Sequence, residues 1–183
     1  MNVTEALQDI EIAFLQLEFA IKLLSYCELR KIDPSDFDTD HTVLLDKGNL
    51  GFPTGHFSDP DNIIRAAGVS VSLAFGGTAL ALDKAYEVAG MEPEPSSENK
   101  LIKLRTLVYM VRCAYAHGIA EPKWEVRGRY LRTISVELND RLIDVDLTAL
   151  QGQVFDFNHI GGHQNWFAIR NETVSALSAI GDD

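Results

Sequence analysis

The chain has 183 residues, 46% of them apolar and 23% charged, and a formal net charge of -11. Its length suits one domain with a core of its own, and this composition excludes wholesale disorder. No uninterrupted apolar run reaches the roughly 18 residues of a membrane span, and Glu5, Asp9 and Glu11 break the apolar block that a signal peptide needs. The expectation is a cytoplasmic protein, a single domain over residues 1–183, with no membrane partner. Cys27 and Cys113 form no CxxC pair and read as thiols inside helices.

The first element is a long helix from Thr4 to Lys31. Leu7, Ile10, Phe14, Leu17, Ile21 and Leu24 repeat at 3,4,3,4,3 and make one apolar stripe. Ala6, Ala13, Ala20 and Cys27 recur every seven residues beside it. Asn2 or Thr4 can cap the start, and Asp33-Pro34 stops the helix. Residues 33–60 are rich in Asp, Pro and Gly, keep no periodicity and read as a long loop. Their acidic residues lack the spacing of a calcium loop.

A second helix starts at Asp59-Pro60 and carries Ile64, Ala67, Val71, Ala74, Thr78, Leu82, Ala85 and Ala89 at helical spacing, with Gly90 as terminator. Gly68, Gly76 and Gly77 inside it suggest close packing or a break near Gly76-Gly77. After a Pro/Ser linker, Ser96 or Ser97 is expected to cap a third helix. Its stripe is Leu101, Leu104, Val108, Val111 and Tyr115, and Gly118 ends it. The period then falls to two. Ile134, Val136 and Leu138, then Ile143, Val145 and Leu147, alternate with polar residues around a turn at Asn139-Asp140. This predicts a β-hairpin within about 123–148, extended by a strand near Trp124–Val126. A last helix is expected over about 164–180, with Trp166, Ile169, Thr173, Leu177 and Ile180 inward. The fold class is therefore mainly α, an antiparallel helical bundle with a small β-hairpin near the C-terminal end.

Charge is uneven along the chain. Residues 1–97 hold 6 Lys/Arg against 16 Asp/Glu, whereas 100–132 hold 8 against 2. A local basic face on an acidic body suits RNA or another polyanion. The third helix carries Arg105, Tyr109, Arg112 and Ala116 on a second stripe, with His117 in its last turn. A histidine there meets the negative end of the helix dipole, which favours its charged form, while Arg112 favours the neutral form. Such a group suits general acid–base work near neutrality. Lys100, Arg105 and Tyr109 are the candidate RNA contacts. His159 and His163 are four apart, but Gly161-Gly162 between them argues against a helical zinc pair. No glycine-rich nucleotide loop and no Ser/His/Asp constellation is present, so no metal and no cofactor is expected.

Arg112-x4-His117 at the end of a late helix resembles the HEPN domain (higher eukaryotes and prokaryotes nucleotide-binding), whose motif is an arginine followed after four to six residues by a histidine. The resemblance covers residues 1–118, with the hairpin as an embellishment. It implies an up-and-down helical bundle that dimerises with two motifs facing one cleft. It further implies RNA or nucleotide binding, and in many members metal-independent ribonuclease activity of the defence or toxin type. Arg112 and His117 would then be the catalytic pair, and an antitoxin or other protein a further partner. Cys113 stands directly after the arginine, where active members commonly carry Asn or Asp. The alternative function is a non-catalytic dimeric module that binds a partner protein.

Overall fold

The computed structural model describes residues 2–116, 118, 121–138 and 141–181. The described chain is mainly α, with two small antiparallel sheets of two strands each. Its elements are α1 (Val3–Glu28), α2 (Pro34–Phe37), β1 (His41–Leu45), β2 (Gly48–Phe52), α3 (Pro60–Val88), α4 (Lys100–Tyr115), β3 (Thr133–Leu138), β4 (Arg141–Asp146), α5 (Leu147–Leu150) and α6 (His163–Gly181). The chain divides into two compact units, Met1–Leu15 with Phe75–Asp183, and Gln16–Ala74.

In the first unit, α4 packs against α6 and against β3, and the 3₁₀ turn Phe157–Ile160 packs on α6 and β4. The stripe of α4 is inward, with Leu104, Val108 and Val111 fully buried. Asn99, not Ser96 or Ser97, caps α4. Its Oδ1 accepts from the Leu101 and Ile102 amides at 2.9 and 3.2 Å, satisfying two of the donors that a helix start leaves open. The β3–β4 hairpin forms in the predicted register of faces. Ile134, Val136, Leu138, Ile143 and Val145 are buried, and their polar neighbours face out. The turn at Asn139-Asp140 lies outside the described residues. Trp124–Val126 is not a strand. A single bridge joins Lys123 to Val154, and Trp124 exchanges backbone hydrogen bonds with Gln153 and Gly152. Ile180 is exposed rather than inward, because α6 buries only Trp166, Ile169, Thr173 and Leu177 of the expected stripe.

Gly76-Gly77 does not break α3, which runs unbroken from Pro60 to Val88. Gly76 serves packing instead. A Cβ there would sit 2.7 Å from Cδ1 of Tyr115. Phe75 beside it centres an aromatic cluster with Tyr115, Phe155, Phe157 and Trp166, at ring separations of 4.8–5.6 Å. By length and composition α3 is also the one described helix that could cross a membrane, and 33% of its most apolar stretch is buried.

The second unit corrects the expectation of a long loop. Asp33 caps α2 by accepting from the Ser35 amide at 2.9 Å, with Pro34 in the first turn. β1 and β2 pair from His41 with Phe52 to Leu45 with Gly48. The hairpin base is stapled by acidic side chains. Asp40 Oδ1 accepts from the Thr54 amide at 2.9 Å and Asp38 Oδ2 from the Gly55 amide at 2.7 Å. Sequence pattern could not find these strands, because every residue of both is exposed and Val43-Leu44-Leu45 run consecutively without alternation. The unit's core is small. Cys27, Ile63 and Ala67 form its centre, with Leu23, Leu24, Ile32, Phe57 and Ile64 packed around them.

Candidate functional site

α4, which carries the motif arginine, presents two different arginines. Arg105, mid-helix, is 2% exposed. Its Nη1 is bonded to Asp83 Oδ1 of α3, and its Nε donates to the Met91 carbonyl at 3.0 Å. A charge this deep is tolerated only when paired and hydrogen-bonded. Arg105 is thus a buried structural residue and not an RNA contact. The sequence could not show this, since the partner Asp83 lies 22 residues away on another helix.

Arg112 lies two turns further on and is 39% exposed. Its Nε faces the second oxygen of the same carboxylate, Asp83 Oδ2, at 3.6 Å. Asp83 therefore holds two arginines, one sealed and one open to solvent. His117 lies outside the described residues. Among those described, Arg112 is the motif residue that the fold presents, in the last turn of α4.

Tyr109 and Cys113 share this side of α4. The Tyr109 hydroxyl lies beside the Cys113 thiol one turn on. The Cys113 thiol beside it, partial burial and Tyr130 push the phenol up to about 12 against the opposing charge of Arg112, so it stays protonated at neutral pH. The Tyr109 ring lies 5.5 Å from the Tyr130 ring at 34°, and the Arg105 guanidinium lies 5.6 Å from its centroid. Arg129 stands 5.3 Å over Tyr130. Its Nη1 meets Glu94 Oε2 at 3.2 Å and its Nη2 donates to the Pro93 carbonyl at 3.2 Å. Tyr130 and Arg129 were not legible as site residues. They reach Tyr109 only through the turn Gly128–Tyr130, where Gly128 takes φ 57°.

The basic excess of 100–132 is matched from outside that stretch. Lys100 pairs with Glu172 at 2.5 Å, Lys103 with Glu98 at 2.7 Å and Arg129 with Glu94, while Asp83 takes Arg105 and Arg112. Lys123 and Arg127 pair locally with Glu121 and Glu125. Arg132 Nη1 donates to the Pro95 carbonyl at 3.0 Å. The linear charge count thus overstates the free positive charge. The exposed pairs are weak, worth about 0–1 kcal/mol each, and an arriving phosphate can exchange for the carboxylate. Lys100, 46% exposed, remains available in that sense.

Among the described residues no three His, Cys, Asp or Glu side chains converge so as to hold a metal ion. His159 is engaged in structure. Its Nδ1 accepts from Trp124 Nε1 at 3.0 Å and from the Asp156 amide at 3.1 Å. No known protein family, curated protein or solved structure matches the chain.

Proposed function

We propose that the chain is a HEPN-like RNA- or nucleotide-binding protein, acting as a metal-independent ribonuclease through Arg112 and His117. The observation that supports this reading is the contrast between the two arginines on one helix. Asp83 neutralises Arg105 in the core and touches only the Nε edge of Arg112, whose side chain stays partly open to solvent in the last turn before His117. A guanidinium that meets a carboxylate only at 3.6 Å through Nε and is open beyond it keeps donors for a phosphate.

In this reading the ribose 2′-oxygen attacks the adjacent phosphorus and the bond to the 5′-oxygen breaks. His117 accepts the 2′-hydroxyl proton, and the leaving 5′-oxygen takes a proton from the imidazolium or from water. Arg112 stabilises the charge on the non-bridging oxygens. The products are a 2′,3′-cyclic phosphate and a 5′-hydroxyl. Single-stranded RNA incubated with the purified protein, with and without EDTA, tests it. Cleavage that survives EDTA, yields cyclic ends and falls by most of its rate in Arg112→Ala and His117→Ala is the expected outcome. Cleavage abolished by EDTA, or kept in both variants, overturns it.

A second reading, a non-catalytic interaction module, is favoured by a different observation. The unit Gln16–Ala74 exposes Phe19, Tyr26, Leu29, Phe37, Val43, Leu44, Leu45, Leu50, Phe52, Val69 and Leu73, each at least 40% exposed. Its buried large apolar side chains are Leu17, Ile63 and Val71. Surfaces of this kind mark interaction sites. No cleavage of RNA under either condition would favour this reading.

A further inference from the structure

The four side chains Arg105, Tyr109, Tyr130 and Arg129 form a ladder of flat groups that begins in the core and ends in solvent. Arg105 is sealed. Tyr109 and Tyr130 are half-buried, tilted by 34° at 5.5 Å. Arg129, 58% exposed, stands over Tyr130 at 5.3 Å. The inner rungs face one another, and the outermost, Arg129, is held at its edge by hydrogen bonds and is open to solvent. Arg129 is tied to Glu94, the Pro93 carbonyl and the Tyr130 hydroxyl at 3.3 Å. An exposed arginine held by three edge contacts gives up rotamer freedom. The arrangement leaves a cation–aromatic surface facing water. It also lies beside Arg112, which sits three residues past Tyr109 on α4 and whose charge acts on that phenol.

We infer that the Tyr109–Tyr130–Arg129 ladder is a stacking platform for an unpaired nucleobase whose phosphate is held by Arg112. Planar aromatics and guanidinium faces are the groups that take splayed bases of single-stranded RNA, and such stacking tolerates any base. The inference rests on the RNA-binding reading above and deepens it. It predicts indifference to base identity and dependence on there being a base at all, since Glu94 already satisfies the charge of Arg129.

The test uses the full chain carrying His117→Ala, so that RNA survives the measurement. Fluorescence anisotropy compares a labelled single-stranded RNA ten-mer with an abasic ribose-phosphate ten-mer of equal charge. The parent should bind the RNA more tightly. Tyr130→Leu and Arg129→Ala should each weaken RNA binding about tenfold, as loss of one base stack does, and leave the abasic oligomer within about twofold. Tyr130→Phe, which keeps the ring, should bind as the parent does. If the parent prefers RNA but both variants bind it unchanged, the platform is wrong and the RNA-binding reading stands. If Tyr130→Leu and Arg129→Ala lose RNA and abasic oligomer equally, the ladder is only structural. If the parent binds neither oligomer, both the reading and the platform fall.

Discussion

Asp83 is the residue on which the motif helix depends, because one carboxylate serves both a buried and an exposed arginine. The two should behave differently when removed. Arg105→Leu leaves the Asp83 charge buried beside a weak partner and should cost about 3–5 kcal/mol, whereas the double variant Arg105→Met with Asp83→Leu should recover most of that loss. Arg112→Ala, which removes a 3.6 Å contact from a 39% exposed side chain, should cost no more than about 1 kcal/mol. Urea unfolding of the three variants checks the order, and an Arg112→Ala as unstable as Arg105→Leu would show the assignment reversed. His163 allows a second measurement. Its ring stacks on Phe157 at 4.0 Å, its Nδ1 is buried with no hydrogen-bond partner, and burial lowers its pKa from the ordinary 6.5. Between that lowered value and 6.5 the unfolded chain binds the extra proton, so stability is full above 6.5 and is lost as pH falls through the folded pKa. His163→Phe keeps the stack and removes the orphaned nitrogen. It should stabilise by about 1 kcal/mol and flatten the pH dependence below 6.5, and an unchanged slope would assign that dependence elsewhere. At this scale the sequence named Arg112 and Tyr109 from their stripe on one helix. It could not tell sealed Arg105 from open Arg112, because both sit on the same stripe and only Asp83 on α3 separates them.

At the scale of elements, what the sequence made legible was whatever carried a period. α1, α3, α4, α6 and the β3–β4 hairpin each bury a repeating face, so their positions could be read to within a few residues. β1 and β2 bury nothing, so no pattern marks them, and the cap of α4 was misplaced because Ser96, Ser97 and Asn99 are all competent capping residues. The glycines of α3 were legible as unusual but not as to purpose. Here the structure separates them by what stands beside each. Gly76→Ala should cost about 1–3 kcal/mol, since its Cβ would meet the Tyr115 ring in a packed cluster. Gly68→Ala and Gly77→Ala meet nothing within 4 Å and should each stabilise by about 0.5–1 kcal/mol through helix propensity alone. Thermal melts of the three single variants decide it, and a Gly76→Ala that melts with or above the wild type would remove the packing role.

The molecule as a whole carries -11 and still exposes large apolar side chains. On α1 alone Ile12, Leu15, Phe19 and Tyr26 are each more than half exposed at spacings of 3, 4 and 7, one side of a helix left uncovered. A second copy would cover such a stripe in a symmetric pairing, and we propose that the protein is a homodimer through α1. Like charge opposes that pairing. Two chains of -11 repel over a Debye length of about 10 Å at 0.1 M salt and about 3 Å at 1 M, whereas apolar contact is not screened. The dimer should therefore tighten as salt rises, opposite to the salt response of RNA binding, which weakens. Light scattering at micromolar protein should give twice the chain mass of 20.3 kDa, with a dissociation constant that falls between 0.05 and 0.5 M salt. Phe19→Lys, at a side chain 60% exposed, should shift the mass to one chain without lowering the melting temperature of the monomer. One chain mass for the wild type at every salt concentration would overturn the dimer. A Phe19→Lys protein that stays dimeric would keep the dimer and move its interface off α1. Co-sedimentation of the wild type with lipid vesicles, lost in Phe19→Lys, would instead assign the stripe to a membrane surface.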